Sequence, residues 1–148
     1  MEYFLEFGYV GLFLASFLAA TLLPLSSEVI LSLLLLNNLN PILLICVATF
    51  GNVLGAFMNY SIGAWGSILI IRKIIKISEN DFVKAKQRFQ KYGVFSLLFA
   101  WVPIIGDPLT LVAGVLKVNI FLFFILVTSG KLIRYVIISY AVLSNITI

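Results

Sequence analysis

The chain has 148 residues, of which 62% are hydrophobic and 11% charged, and its formal net charge is +4. A soluble domain carries about 25% charged residues, so this composition predicts an integral membrane protein that forms one compact bundle. The absence of histidine excludes His-based metal sites, Ser-His-Asp triads and histidine phosphotransfer. The one cysteine, Cys46, cannot form a disulfide within the chain. It lies in an apolar run, where we expect an inert buried thiol.

Basic residues are confined to the second part of the chain. All ten Lys and Arg lie between Arg72 and Arg134, and the first 71 residues contain none. Cytoplasmic segments of membrane proteins carry an excess of Lys and Arg. The sequence therefore predicts a multi-pass protein of the cell inner (plasma) membrane, with the N-terminus outside and residues 72–92 in the cytoplasm.

The first apolar region is interrupted by Pro24. The runs on either side, Tyr9–Leu23 and Leu25–Leu36, have 15 and 12 residues, whereas a helix needs about 20 residues to cross about 30 Å of hydrocarbon. We therefore predict a re-entrant helical hairpin with its tip at Pro24–Ser27. The alternative is a pair of short tilted spans.

A full span is predicted next, over Ile42–Ile71. It contains Gly51 and Gly55, which lie on one helix face and permit close approach of another helix, and Gly63 further along. Asn52 is a polar group within this span and needs a partner inside the bundle.

The hydrophilic segment 72–92 follows. Ser78 is a candidate N-cap and Gly93 a candidate C-cap, and apolar residues recur between them at helical spacing. The pattern predicts a basic amphipathic helix on the surface of an anionic leaflet. The alternative is a basic loop that only fixes the topology. A nucleic-acid role is not expected, because so few basic residues lie this close to the membrane.

The second half repeats the pattern of the first. The apolar region Val94–Leu116 is interrupted at Pro103–Pro108, which includes Gly106, and Phe121–Leu143 is long enough for a last full span. Prolines prevent a helix from running straight through. A turn inside the membrane requires surrounding protein or a water-filled cavity.

Special residues in the two halves share one register. An offset of 79 positions relates Pro24 to Pro103, Glu28 to Asp107, Thr49 to Thr128 and Gly51 to Gly130. This register predicts an internal duplication. The expected fold is an all-α integral membrane protein, 1–148, with repeat 1 at about 9–71, a basic amphipathic cytoplasmic helix at 72–92 and repeat 2 at about 93–143. Each repeat is a re-entrant hairpin followed by a transmembrane helix, and the two repeats are inverted.

Four charged residues are predicted to meet in the bundle. Glu28 and Asp107 lie at the hairpin tips, and Lys131 and Arg134 share a face of the last span. Lys131 lies about 15 Å along that helix from Phe121, and a charge at such depth is costly unless paired. One interpretation is two structural ion pairs that hold the hairpins to the last span, one of them between Asp107 and Lys131.

The other interpretation is a polar cavity in which an anionic headgroup competes for the cations while Glu28 and Asp107 carry protons. A carboxylate in a medium of low dielectric constant holds its proton more readily. Candidate substrate-binding residues are Lys131, Arg134, Ser26, Ser27, Asn52 and Thr110. An enzyme is not expected, because no histidine or metal cluster accompanies the serines.

Several motifs resemble the DedA family, also called the SNARE-associated or VTT-domain superfamily, and its small YqaA-like branch. They are Leu23–Glu28, Gly51–Gly55, Asn59–Gly63 and Trp101–Pro108 followed by Ala113-Gly114, and together they span about residues 10–135. The resemblance implies inverted re-entrant hairpins and a role in moving lipids across the membrane. Bacterial members are associated with undecaprenyl phosphate recycling and dependence on the proton-motive force.

The chain departs from the family at the second tip. Many members carry arginines beside the second-hairpin proline, where this chain has Trp101 and Asp107. We expect Lys131 and Arg134 to substitute.

The sequence thus predicts a scramblase or transporter that moves a phosphate-bearing lipid, a phospholipid or undecaprenyl phosphate, between leaflets, with or without proton coupling. One alternative is a transporter of a small anion or other solute, and another is a non-transporting assembly protein. The expected partners are membrane lipids and an anionic leaflet, with a possible homo-oligomer and no cofactor.

Overall fold

Helices make up nearly all of the part of the chain that the computed structural model describes, which comprises residues 2–21, 27–66, 78–102 and 105–146. The elements are α1 (Glu2–Thr21), α2 (Ser27–Leu36), α3 (Pro41–Trp65), α4 (Glu79–Tyr92), a 3-10 helix (Gly93–Trp101), α5 (Gly106–Val115) and α6 (Ile120–Ile146). The expected all-α class is confirmed. The tip residues Pro24, Ser26 and Pro103 and segment 67–77 lie outside the described residues.

Local sequence signals determine where the helices begin. Asn40 caps α3, and its side chain accepts hydrogen bonds from the backbone N–H groups of Ile42 and Leu43 at 3.0 and 3.4 Å. Pro41 follows at the first helical position, where its missing N–H costs nothing. Ser78 caps α4 by accepting a bond from the Asp81 N–H at 3.2 Å. These interactions start each helix at a polar residue just before its first turn.

The long helices α3 and α6 run antiparallel and form the centre of the bundle. The rings of Tyr60 and Phe123 are tilted against each other, with centroids 4.7 Å apart, and the side chain of Asn52 meets that of Tyr135 further along. Later residues of α3 therefore contact earlier residues of α6, as in an antiparallel pair. Both helices are long and apolar enough to cross a membrane.

The shorter elements pack on this central pair in a reciprocal way. α1 packs along α3, and the 3-10 helix packs along α6. The second arms are exchanged, because α2 packs on α6 and α5 packs on α3. Each long helix thus contacts parts of both halves of the chain.

Helix boundaries repeat with the same offset as the special residues. α2 and α5 both have ten residues, and each bound of α5 lies 79 positions after that of α2. α6 also begins 79 positions after α3. These boundaries match the proposed register. The inverted orientation and the re-entrant depth of the hairpins remain predictions.

Glycines bring the helices close together. A Cβ at Gly51 or Gly55 would lie 2.6 Å from the carbonyl oxygen of Phe13 or Phe17 in α1. A Cβ at Gly63 would meet the backbone of α5. The three glycines therefore lie at helix contacts on α3, where any larger residue would push α1 or α5 away.

The segment before the second tip differs from the expectation of a separate surface helix. α4 begins at Glu79 and continues directly into a 3-10 helix of nine residues, which is unusually long for that type. Gly93 joins the two with φ of 62°. The apolar stripe of Phe82, Ala85 and Phe89 packs on the hydrophobic core. This stripe is therefore covered by protein and not by lipid, while Lys84, Lys86 and Lys91 stay exposed.

Three further expectations need correction. α1 begins at Glu2, seven residues before the apolar run, and has 20 residues. α3 ends at Trp65, where the Gly66 N–H bonds to the Ile62 carbonyl, and so it stops short of Ile71. Cys46 is exposed on α3 and not buried in the bundle. An apolar run indicates that its side chains lie against other apolar groups. It does not show whether those groups belong to the lipid or to the rest of the protein.

The outer surface of the long helices is strongly apolar. Phe50 is 63% exposed, Phe121 is 75% exposed and Ile137 is 58% exposed. Exposed apolar surface on this scale marks an interaction with lipid or protein. Together with the length of α3 and α6, it favours a bundle surrounded by membrane.

Candidate functional site

A buried cation on α6 faces the second hairpin. The Lys131 side chain is only 3% exposed, and its Nζ lies 3.8 Å from Oδ1 of Asp107, which is 35% exposed. This distance allows an ion pair but is long for a hydrogen bond. The structure thus places Asp107 against Lys131, in a weakly bonded contact that leaves donor capacity on the ammonium group.

A second cation, one turn further along α6, faces the first hairpin. Arg134 forms a salt bridge with Glu28, and the two side chains are 16% and 29% exposed. Its Nη1 also donates a hydrogen bond of 2.9 Å to the carbonyl oxygen of Trp101, at the end of the 3-10 helix. Arg134 therefore contacts both hairpins. Its partner near the second tip, Trp101, is 33 residues away in the sequence.

The two carboxylates occupy equivalent places in the fold. Glu28 is in the first turn of α2, and Asp107 is in the first turn of α5. A negative charge is favourable at the N-terminus of a helix. An anion that displaced either carboxylate would meet the same helix end and a cation.

Gly106 allows the second tip to close tightly. A Cβ there would meet the carbonyl group of Ala100, so a larger residue would separate α5 from the 3-10 helix. Pro108 lies buried in the first turn of α5, a position that proline tolerates. These two residues fix the direction in which α5, and with it Asp107, leaves the tip.

A cluster of neutral polar groups lies beside the Arg134–Glu28 pair. Tyr135 is fully buried, and its hydroxyl bonds to Ser27 Oγ at 2.9 Å and accepts a bond from Asn52 Nδ2 at 2.8 Å. This joins α2, α3 and α6. Asn52 Oδ1 is buried and has no hydrogen-bond partner among the residues that the structure describes. Such an atom is costly unless something else bonds to it.

Asn59 connects the two hairpins from the other long helix. Its Nδ2 donates to the carbonyl oxygen of Ala20 at 2.7 Å and contacts Thr110 Oγ1 at 3.4 Å. Thr110 in turn donates to the Asp107 carbonyl at 2.8 Å. Asn59 is only 1% exposed. The end of α1 is thereby held to the start of α5.

The two long helices thus brace the hairpins crosswise. Asn59 of α3 links the last turn of α1 to α5, and Arg134 of α6 links the end of the 3-10 helix to α2. In both cases the acceptor is a main-chain carbonyl just before a tip. Movement of one hairpin therefore changes the environment of the other.

The predicted site residues fall into three groups in the structure. Glu28, Asp107, Lys131 and Arg134 form two ion pairs, and Ser27 and Asn52 lie in the neutral cluster. Thr110 bonds to main chain and Asn59 and does not contact a cation in any described interaction. Sequence reasoning missed Tyr135 and Asn59 as site residues. Their signal was a hydrogen-bonding side chain inside an apolar span.

Geometry and composition together define a class of protein: a small, all-helical membrane protein with charged side chains held inside the bundle by its short helices. The VTT domain family matches residues 23–144. The chain therefore belongs to the VTT-domain or DedA family, on its YqaA-like branch, and the resemblance seen in the sequence is confirmed.

Curated relatives include several bacterial proteins. The chain is 37% identical to the inner membrane protein YqaA of Escherichia coli over 132 residues, which is 88% of both chains. It is 30% identical to an alkaline phosphatase-like protein of Lactococcus lactis over 86% of this chain and 66% of the relative. It is 27% identical to undecaprenyl phosphate transporter A of Staphylococcus aureus over 89% of this chain and 71% of the relative. No solved structure matches the chain.

Proposed function

We propose that this protein moves a phosphate-bearing lipid between the leaflets of the membrane. The observation that carries the proposal is the pair of cations on one long helix, each opposed by a carboxylate in the first turn of a short helix. The relative from Staphylococcus aureus, which is named as an undecaprenyl phosphate transporter, supports a lipid of this type. The lipid headgroup would exchange with the carboxylates at the cations.

The proposed exchange begins at Lys131. Its ammonium group has one acidic partner at 3.8 Å, whereas Arg134 has both Glu28 and the Trp101 carbonyl. A phosphate that reached Lys131 would gain a charge-assisted hydrogen bond. Asp107 would then be released, and binding of a proton would remove its competing charge. Arg134 would offer a planar, bidentate site as the phosphate moves on.

The proposal includes the inverted arrangement predicted from the sequence. Antiparallel α3 and α6 and the exchanged packing of α2 and α5 support it. Inverted repeats with substrate sites near the midplane are the basis of alternating access in many transporters. In this scheme the hairpins are re-entrant, the N-terminus is outside, and the exposed basic residues of α4 face an anionic cytoplasmic leaflet.

Accessibility labelling tests the proposed topology. In a Cys46→Ser background, Asn38→Cys is expected to react with an impermeant maleimide in intact cells. Lys86→Cys is expected to react only after permeabilisation. The opposite pattern would overturn the orientation and leave the transport proposal to be judged by a separate assay.

Lipid movement is tested in reconstituted vesicles that contain fluorescent phosphatidylglycerol or a labelled polyprenyl phosphate. Wild type is expected to flip lipid faster than protein-free vesicles at several pH values. Lys131→Met and Arg134→Gln are expected to slow anionic lipids most, since they remove the groups that bind phosphate. Glu28→Gln is expected to weaken the pH dependence. Lys117→Gln, at an exposed lysine, serves as the matched control.

The same vesicles separate the proposal from its alternatives. Equal rates for wild type, Lys131→Met and empty vesicles would refute lipid transport. Uptake of inorganic phosphate without lipid flipping would identify a solute transporter. Neither activity, with full loss of stability in the charge variants, would leave the ion pairs a structural role.

A further inference from the structure

An apolar groove lies between α3 and α6 on the outside of the bundle. It has a volume of about 540 Å³ and is open along one side. Cys46 and Phe50 of α3 and Leu132 of α6 are among the side chains that line it. Cys46 and Phe50 are themselves exposed, so part of the lining faces the surroundings of the bundle.

The groove lies at equivalent positions of the two halves. Thr49 and Thr128 both line it, and they are 79 residues apart. Val53 and Leu132 also both line it, with the same separation. Half of the lining thus comes as two pairs in the register of the duplication. A cleft at the junction of two repeats is where transporters place their substrates.

The chemistry of the lining selects hydrocarbon. Among the described residues that line the groove, none carries a charge, and all but Phe13 of α1 belong to α3 and α6, which are long enough to cross the membrane. The polar side-chain groups in this described lining are the hydroxyls of Thr49 and Thr128 and the thiol of Cys46, and within the described part of the chain the buried Thr49 hydroxyl has no hydrogen-bond partner. A charged headgroup would find no partner in this groove, whereas an apolar chain would match its walls.

A cation is close in sequence to the groove residues of α6. Lys131 is between Thr128 and Leu132 on α6, three residues after the first and one before the second. It is nearly fully buried at the ion-pair site. A lipid with a negatively charged phosphate and a long hydrocarbon chain matches both features of this part of α6. The phosphate would bind Lys131, and the hydrocarbon chain would fit the groove.

We propose that the groove between α3 and α6 holds the hydrocarbon chain of the anionic lipid whose headgroup exchanges at Lys131. The inference rests on the proposed function, because it places the chain of the same lipid. The hydrocarbon chain of the lipid lies against Thr49, Val53, Thr128 and Leu132, and the phosphate of the same lipid enters the bundle beside the groove. The headgroup crosses through polar surroundings, and the chain never leaves apolar ones.

Photocross-linking in lipid nanodiscs tests the groove directly. The probe is phosphatidylglycerol with a diazirine near the end of one acyl chain, present at a low fraction in unlabelled phosphatidylglycerol, and modified residues are mapped by mass spectrometry. Cross-links are expected to concentrate on the groove residues of α3 and α6. Ile137 lies outside the groove and is expected to be labelled much less, although its 58% exposure is close to the 63% exposure of the groove residue Phe50.

A filled groove provides the matched comparison. Cys46→Trp puts a large side chain into the groove at an exposed position, and Ile42→Trp puts the same side chain one turn away on α3, where 70% exposure shows open surroundings. Groove cross-links are expected to fall on the order of tenfold in Cys46→Trp, because displacement of about two methylene groups changes affinity by that factor. Ile42→Trp is expected to behave as wild type.

Two results would overturn the inference. One is uniform labelling of all lipid-exposed residues in wild type, a measurement that requires no variant to fold. The other is efficient cross-linking of Cys46 between two copies by a short bis-maleimide, which would make the groove a dimer interface. Lipid flipping is measured on the same samples. Groove cross-links without flipping would refute the proposed function alone, and flipping without them would refute the groove alone.

Discussion

Removal of the charge from Asp107 tests how strongly the second hairpin is held to α6. Lys131 Nζ lies 3.8 Å from Asp107 Oδ1, a separation at which the gross attraction is about 4 kcal/mol for an effective dielectric constant of about 20. Asp107→Asn keeps the shape of the side chain but leaves Lys131 buried without its counter-charge. We expect the free energy of unfolding to fall by about 3 kcal/mol, at the lower end of the range for broken buried pairs because Asp107 is partly exposed.

A double-mutant cycle combines this variant with the single variant Lys131→Met. The double variant removes the buried positive charge as well as the negative one. Asp107→Asn with Lys131→Met is expected to recover most of the lost stability, since replacement of a buried ion pair by apolar groups is often close to neutral. The assay is reversible unfolding by SDS in mixed micelles, followed by tryptophan fluorescence. Lys117→Met, at an exposed lysine, is expected to change stability by no more than about 0.5 kcal/mol.

Additivity is the result that would refute this reasoning. If the double variant loses the sum of the two single losses to within about 0.5 kcal/mol, the two side chains do not interact. The ion pair would then have no part in holding α5 to α6, and the proposed exchange of Asp107 for phosphate would lose its starting state.

Two other substitutions test the rest of the bracing. Asn59→Leu removes the hydrogen bonds that join the hairpins and is expected to cost about 1–3 kcal/mol, whereas Ser61→Ala, whose hydroxyl bonds only within its own helix, is expected to cost far less in the same unfolding assay. Gly51→Val would force α1 away from α3, and we expect a large loss of folded protein on size-exclusion chromatography. Gly11→Ala is its control, because nothing lies within 4 Å of the added methyl group, and equal losses in both would contradict the close-contact explanation.

Local signals were sufficient to locate the short helices. The prolines and polar residues at the two interruptions predicted where the chain turns, and α2 and α5 begin three residues after Pro24 and Pro103 respectively. The boundaries follow from backbone chemistry, because proline limits the preceding helix and the next polar residues start a new one. Such effects need no knowledge of tertiary packing.

Pairings across the bundle were harder to predict. The sequence placed Arg134 and Lys131 on one face of a helix and predicted the pair of Asp107 with Lys131, which the structure shows. The sequence did not single out the pair of Arg134 with Glu28, which depends on how α2 packs on α6. The covered stripe of α4 has the same cause. Phe82, Ala85 and Phe89 form an amphipathic pattern whether the apolar side meets lipid or protein, and only the packed structure distinguishes the two.

The crosswise bracing gives an order to the proposed transport cycle. Asn59 and Arg134 each hold one hairpin to the other through a main-chain carbonyl, so movement of either hairpin alone would have to break these contacts. Within the described residues Lys131 has no such brace, and its contact with Asp107 is long. In the proposed cycle, entry of phosphate at Lys131 would break the longest of these contacts first. Release of Asp107 would then free the start of α5, which Asn59 contacts through Thr110, and the disturbance would reach the end of α1. The second cation, still held by Glu28 and Trp101, would keep the first hairpin attached to α6 until the headgroup arrives, in the manner of alternating access.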